Sequence, residues 1–149
     1  MIKIALTQRK HIATAAKILF EAYYSSVNSA RNHINKKINA KESFVALDDN
    51  EVAGVLIYAR GYSHYANYAE DLAVSKKHRG KGIAKALLKK YIDISRNETP
   101  KKQMYALSST DVSNKASIIL HKKAGFKEIG KLKKLHYGKD EVFFAYKLR

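Results

Sequence analysis

The stretch Arg79-Gly80-Lys81-Gly82-Ile83-Ala84 has the residue types and spacing to bind an anion. It follows the apolar run Leu72-Ala73-Val74 and opens Ala84-Lys85-Ala86-Leu87-Leu88-Lys89-Lys90-Tyr91. A strand, a glycine turn and a helix start in that order make a cradle. Glycine lets main-chain N–H groups approach a phosphate, and the exposed first-turn N–H groups with the helix dipole favour negative charge. Lys81 and Lys85, with Lys76 and Lys77 just before the turn, add attraction and are equally suited to a solvated helix face. A phosphate-bearing ligand is therefore expected here. Two better-known phosphate motifs do not fit. Position 85 is Lys, so the third glycine of a dinucleotide fingerprint is missing, and no Gly-x-x-x-x-Gly-Lys-Ser/Thr loop occurs.

Other chemistries are excluded by what the chain lacks. There is no cysteine, hence no disulfide, thiol nucleophile or cysteine metal site, which fits a reducing cytoplasm. His11, His33, His64, His78, His121 and His136 form no His-x-x-His or His-x-x-x-His pair, so no metal is expected. Ser108, Ser109, Asp111 and His121 are close in sequence, but no Gly-x-Ser-x-Gly elbow supports a hydrolase. No signal peptide is apparent at the N-terminus, and no run approaches the ~20 apolar residues of a membrane helix. No membrane association is expected.

Charge is unevenly spread. The formal net charge is +16; residues 1–75 carry 9 Lys and Arg against 7 Asp and Glu, whereas residues 76–149 carry 20 against 6. The glycine turn begins the basic half, whose field concentrates anions. A phosphorylated cofactor, nucleic acid or an acidic protein surface would each suit it. Basic residues interleaved with tyrosines could bind RNA, but no nucleic-acid motif accompanies them.

The elements that must position these groups follow from periodicity. Residues 2–6 alternate as a short strand. Thr7 caps a helix marked by Ile12, Ala15, Ala16, Leu19, Phe20 and Tyr23, and a second helix spans 27–39. Strands 43–47 and 52–59 form a hairpin across Asp48-Asp49-Asn50. Residues 61–67 read as a loop, 68–74 as a strand and 81–95 as a helix, with a boundary at Pro100. A strand at 104–108, a helix from a Ser113 cap to 123 and a strand pair at 126–132 and 141–148 complete the chain. One domain over 1–149 is expected, of α/β or α+β class with a mixed central sheet.

Two motifs now stand together. Arg79-x-x-Gly82-x-Ala84 resembles the Arg/Gln-x-x-Gly-x-Gly/Ala signature of the GNAT N-acetyltransferase superfamily, and about 30 residues later Asn114 opens a helix ending in Gly125-Phe126, similar to that family's second element. Glu70-Asp71-Leu72-Ala73-Val74 resembles the family's central strand, and the likeness covers about residues 68–127. The stretch 140–146 resembles streptothricin acetyltransferase-like members more faintly.

The resemblance implies a splayed, mostly antiparallel sheet with about four helices, and acetyl-CoA as co-substrate. The main chain of Leu72, Ala73 and Val74 would pair with the pantetheine arm as an added strand. N–H groups from Arg79, Gly80, Lys81, Gly82, Ile83, Ala84 and Lys85 would hold the pyrophosphate, and a Cβ at Gly82 would push it away. Asn114 would hydrogen-bond the arm; it suits an N-cap equally. Acetyl would pass directly to a primary amine of a small molecule or protein. An amine needs a base and the departing thiolate an acid. Glu70, on the strand face of Leu72 and Val74, is the base this implies; Asp71 points to the other face. The donor is often Tyr seven residues after the motif Asn, and that position here is His121. On strand 104–109, where some relatives carry Glu, this chain has Ser. Tyr23, Tyr24 and Tyr65 would wall the acceptor pocket, where Glu21, Glu42, Glu70 and Asp71 are the few acids able to meet a polycation. A non-enzymatic acyl-CoA sensor and a basic nucleic-acid-binding module stand as alternatives, and homodimerisation is one expectation for the assembly.

Overall fold

The computed structural model describes residues 1–98 and 101–149, so the boundary expected at Pro100 lies outside the described residues. In chain order the elements are β1 (Ile2–Leu6), α1 (Ile12–Ala22), α2 (Val27–Asn39), β2 (Ser43–Asp48), β3 (Glu51–Ser63), β4 (Ala66–Val74), α3 (Ile83–Asn97), β5 (Tyr105–Asp111), α4 (Lys115–Lys123), β6 (Lys127–His136) and β7 (Lys139–Lys147). The strands join in one mostly antiparallel sheet of order β1-β2-β3-β4-β5-β7-β6. β4 and β5 run parallel, as the mixed sheet required. The chain divides into two compact units, residues 1–58 with 71–90, and residues 59–70 with 91–149.

In the first unit, α1 and α2 bury Ile12, Ala15, Leu19, Ala30 and Ile34 with Val45, Val55 and Ile57 of β2 and β3. These are the positions that recur at helical and at alternating spacing. Ser26 caps α2, its hydroxyl accepting from the Ser29 N–H at 3.0 Å. β2 and β3 meet across Asp49 and Asn50, both at positive φ (48° and 70°), the pairing that matches the twist of a two-residue hairpin. α3 packs on β3 of this unit through Ile83 and Leu87, both buried, as is Leu88. Burying each leucine contributes about 1.5–3 kcal/mol. Gly54 on β3 permits that contact. A Cβ there would lie 2.9 Å from Ile83 Cγ2 and 3.1 Å from the Ala73 carbonyl oxygen.

In the second unit, β5 and β7 bury Ala106, Val142 and Phe144; His121 stacks on Phe144, and Phe126 packs on His121 and Tyr146. Tyr137 and Gly138, both at positive φ, turn β6 into β7. β6 is the edge strand, exposed along its whole length.

Three local expectations need correction. Thr7 does not cap α1; its hydroxyl is buried against the Ser43 hydroxyl at 2.8 Å, and a short 3-10 turn over Arg9–His11 precedes the helix. Residues 61–67 are not an open loop. β3 and β4 extend to a two-residue turn at His64 and Tyr65, because the fully buried Asn67 accepts from the Gly61 N–H and donates to Ser95 Oγ, both at 3.0 Å. Asn114, not Ser113, caps α4, its Oδ1 accepting from the Ser117 N–H at 3.1 Å. Ser113 instead donates through its N–H and hydroxyl to Asp111.

Candidate active site

The glycine turn lies wholly in the first unit. A 3-10 turn over Lys76–His78 follows β4, and Arg79 is extended. Gly80 and Gly82 then adopt φ of 81° and 79°, a region that costs a residue with a Cβ. A Cβ at either glycine would meet no protein atom within 4 Å, so the concave side is open. The Ala86 N–H is the first to find a carbonyl of the turn, that of Gly82 at 3.0 Å. Among the described residues, the N–H groups of Gly80 through Lys85 have no main-chain acceptor. Four are orphan donors of the helix start, which nature satisfies with caps or anions.

The cations around the turn are not equivalent. Lys81 Nζ sits 2.7 Å from Asp48 Oδ2. The hydrogen bond from Lys81 holds the Asp48 carboxyl below its ordinary range, and the same contact raises Lys81. Lys77 pairs with Glu51. His78, buried beneath the turn, brings Nε2 to 3.8 Å from Asp48 and 3.6 Å from Glu51. These contacts pin the turn to the β2–β3 hairpin. Lys81 is thus a strut for the cradle rather than an unengaged cation. Lys76 and Lys85 carry no ion pair among the described residues.

On β4, β5 takes up only Ala66–Tyr68, so no ladder from β5 reaches Leu72, Ala73 and Val74. Asp71 is 5% exposed and accepts from Tyr23 Oη at 2.6 Å and Tyr24 Oη at 2.7 Å; His33 Nε2 lies 3.6 Å away. The two tyrosines are therefore brought together, ring centroids 5.5 Å apart, by a buried carboxylate. Burial of its hydroxyl, then the charge and hydrogen bond of Asp71, push the Tyr23 phenol well above its ordinary range, while the Leu72 N–H pulls the other way. Tyr65, expected beside them, lies in the second unit, at the β3–β4 turn, where its carbonyl accepts from the Met104 and Tyr105 N–H groups.

The second unit holds the expected donor His121 in its core, 2% exposed. Ser117 O lies 2.8 Å from Nδ1, and Ser108 Oγ lies 2.8 Å from Nε2. The ring stacks on Phe144 at 4.8 Å and meets Phe126 edge-on at 5.2 Å. Both nitrogens are engaged, and burial lowers the ring's pKa. Glu70, the expected base, is exposed on β4. The Asn114 carbonyl serves as the α4 cap, which leaves its amide nitrogen for a ligand.

A further chain of polar groups was not evident from sequence. Tyr68 Oη lies 2.5 Å from Ser109 Oγ, which donates at 2.8 Å to Glu141 Oε2. Glu141 is 6% exposed, and its other oxygen lies 3.5 Å from Nδ1 of the exposed His136.

A profile of the Acetyltransferase (GNAT) family matches residues 12–126. The chain belongs to that family. It is 27% identical over 104 residues to N-alpha-acetyltransferase 30 of Schizosaccharomyces pombe, covering 68% of this chain and 67% of that one. In structure it resembles the ribosomal-protein-alanine N-acetyltransferase of Brucella melitensis, with TM-score 0.82, 22% identity, and 98% and 99% of the two chains covered. It also resembles a Salmonella typhimurium protein solved with its cofactor acetyl-CoA, with TM-score 0.83, 18% identity, and 99% and 94% covered. The glycine turn, Asn114 and Phe126 of this GNAT chain all lie within the matched residues.

Proposed function

We propose that this GNAT acetyltransferase moves acetyl from acetyl-CoA directly to the N-terminal amine of a peptide or protein. The observation that carries the cofactor reading is the row of unengaged main-chain N–H groups from Gly80 to Lys85, opening on space that a side chain would fill. They suit a pyrophosphate, with Lys76, Arg79 and Lys85 as the cations beside it. The main chain of Leu72–Val74 suits a peptide-like arm, because β5 pairs only with the start of β4. Acetyl-CoA, when bound, supplies an activated thioester. The chain's residues hold it, attract the ammonium and take up its proton.

The acceptor reading rests on how the acids are used. A polycation wants several carboxylates in one pocket. In the first unit, Asp71 is occupied by two phenols and Glu42 pairs with Lys37 at 3.6 Å. A single amine asks for less, and two relatives bear the names of N-terminal and ribosomal-protein acetyltransferases. Tyr23 and Tyr24, fixed by Asp71, are candidates to wall the acceptor, with Tyr65 a separate candidate. We read Glu70 as the exposed carboxylate that draws the ammonium in. His121 we read as a packing and hydrogen-bonding residue, on its two engaged nitrogens. The setting we take as cytoplasmic, on a chain without cysteine.

Thiol release from acetyl-CoA, measured over peptides with free N-termini, N-blocked peptides and polyamines, tests this. Turnover on free-N-terminal peptides alone is the expected result. Turnover confined to polyamines would overturn the acceptor, and no turnover with any amine would overturn the function.

A further inference from the structure

A recess of about 590 Å³ is cut into the second unit, and no residue named above for acetyl transfer lines it. That volume is typical of a small-molecule site. One wall is the end of the β3–β4 hairpin, residues 60–64; the other is Lys102 and Gln103, just before β5. Both walls are held from behind. Asn67 accepts from the Gly61 N–H and donates to Ser95 Oγ, both at 3.0 Å. The Gln103 carbonyl accepts from the Arg149 guanidinium, and the Met104 N–H donates to the Tyr65 carbonyl at 2.7 Å. A ligand thus meets a site already formed, which lowers the entropy cost of binding.

The lining carries Arg60 and Lys102 and no carboxylate. Arg60 lies 4.0 Å from Glu98, whereas Lys102 has no ion pair among the described residues. Gln103 is 3% exposed. Its Nε2 faces the Ser63 and His64 carbonyls, each 3.4 Å away, and carbonyls only accept, so Oε1 is the atom turned from them. Oε1 is buried and has no donor. An acceptor left so is unfavourable, and a ligand N–H relieves it. Tyr62 packs one side on Tyr68, ring centroids 5.1 Å apart, yet is 64% exposed, which leaves ring surface for a flat group.

We propose that this recess binds a nucleotide, its phosphate on Arg60 and Lys102, its base stacked on Tyr62, and a base N–H donated to Gln103 Oε1. Other ligand classes use less of the site. An ammonium would meet two like charges. Inorganic phosphate would leave Tyr62 and Gln103 idle, and a peptide carboxylate would bring no flat group to the tyrosine. A base with its phosphate supplies all three features at once. A free nucleotide and one residue of single-stranded RNA carry this same chemistry, and the field of the basic half draws either.

Amide NMR spectra of the 15N-labelled protein, titrated with AMP, with inorganic phosphate and with an adenylate octamer, test this. The signals of residues 60–64 and 102–103 should move with AMP. Lys102→Ala and Tyr62→Ala, both at exposed positions, should each weaken that binding by roughly 10-fold or more, with the thermal midpoint unchanged. Gln103→Met, similar in volume but without the acceptor, should weaken it by roughly 10-fold while leaving the fold as stable as wild type. An octamer that binds more tightly than AMP names RNA as the source, and one that binds equally or more weakly names the free nucleotide. Several results overturn the site. They are no movement with AMP or the octamer, movement confined to residues 80–85, phosphate binding as tightly as AMP, or AMP affinity unchanged in Lys102→Ala and Tyr62→Ala. The readout is binding, so it decides the recess whether or not any amine is acetylated.

Discussion

Nδ1 of His121 carries a proton, because the group nearest it, 2.8 Å away, is the Ser117 carbonyl, which can only accept. Nε2 of the neutral ring then accepts from the Ser108 hydroxyl. A second proton would charge a ring sandwiched among aromatic side chains. Burial accordingly lowers its pKa from 6.5, partly opposed by the Ser117 carbonyl. The unfolded chain binds that proton more readily than the folded one, so stability is full above about 6.5 and declines as pH falls toward the folded value. His11, lowered by burial and by Lys10, adds a slope of the same sign. Denaturant unfolding between pH 5 and 8 should show His121→Gln destabilised by about 1–3 kcal/mol at pH 8, with a shallower loss on acidification. A variant that keeps the full wild-type slope would show that His121 does not report its burial. Counting seven from Asn114 reaches His121, but counting says nothing of what surrounds the ring. Asn114 likewise fitted a cap and a ligand, and only the Ser117 N–H against Oδ1 shows that the cap is in use. Tyr68, Ser109 and Glu141 are separated by 41 and 32 residues, so no local spacing could join them. They meet only because β5 lies between β4 and β7.

At the scale of elements, the cradle depends on where α3 begins, and that depends on Gly54. A Cβ there would press on Ile83 and Leu87 and on the Ala73 carbonyl, a main-chain atom that cannot swing aside. Ile83 is the first residue of α3, directly after the glycine turn. Gly54→Ala should therefore cost about 1–3 kcal/mol, as over-packing does, and should weaken acetyl-CoA binding although residue 54 lies 25 or more positions before the turn. Thermal unfolding and equilibrium binding check this together; a stability loss with cofactor affinity intact would dissociate Gly54 from the cradle. The helices and most strands were legible as periodic apolar positions, since each buries one face. Their ends were not. Thr7 and Ser113 look like caps by type, but Ser43 and Asp111 claim them through contacts that propensity does not encode. The β3–β4 hairpin was obscured by glycine and polar residues that read as loop, yet Gly61 and Asn67 are tied to each other across the ladder.

For the whole molecule, the charge of +16 was countable from composition, whereas the cations that remain available were not. Asp48 and Glu51 engage Lys81 and Lys77, so the carboxylates of the acid-richer half brace the basic turn. What is left to meet an anion is chiefly main chain, aided by a diffuse positive field that salt screens. The most direct measurement is a calorimetric comparison of acetyl-CoA with S-acetylpantetheine, which carries the same thioester but no pyrophosphate. Two charge-assisted hydrogen bonds of about 1.5 kcal/mol each would give acetyl-CoA roughly 100-fold tighter binding. The account predicts a gap of that order, narrowing as salt is raised. Equal affinities for the two compounds would contradict it.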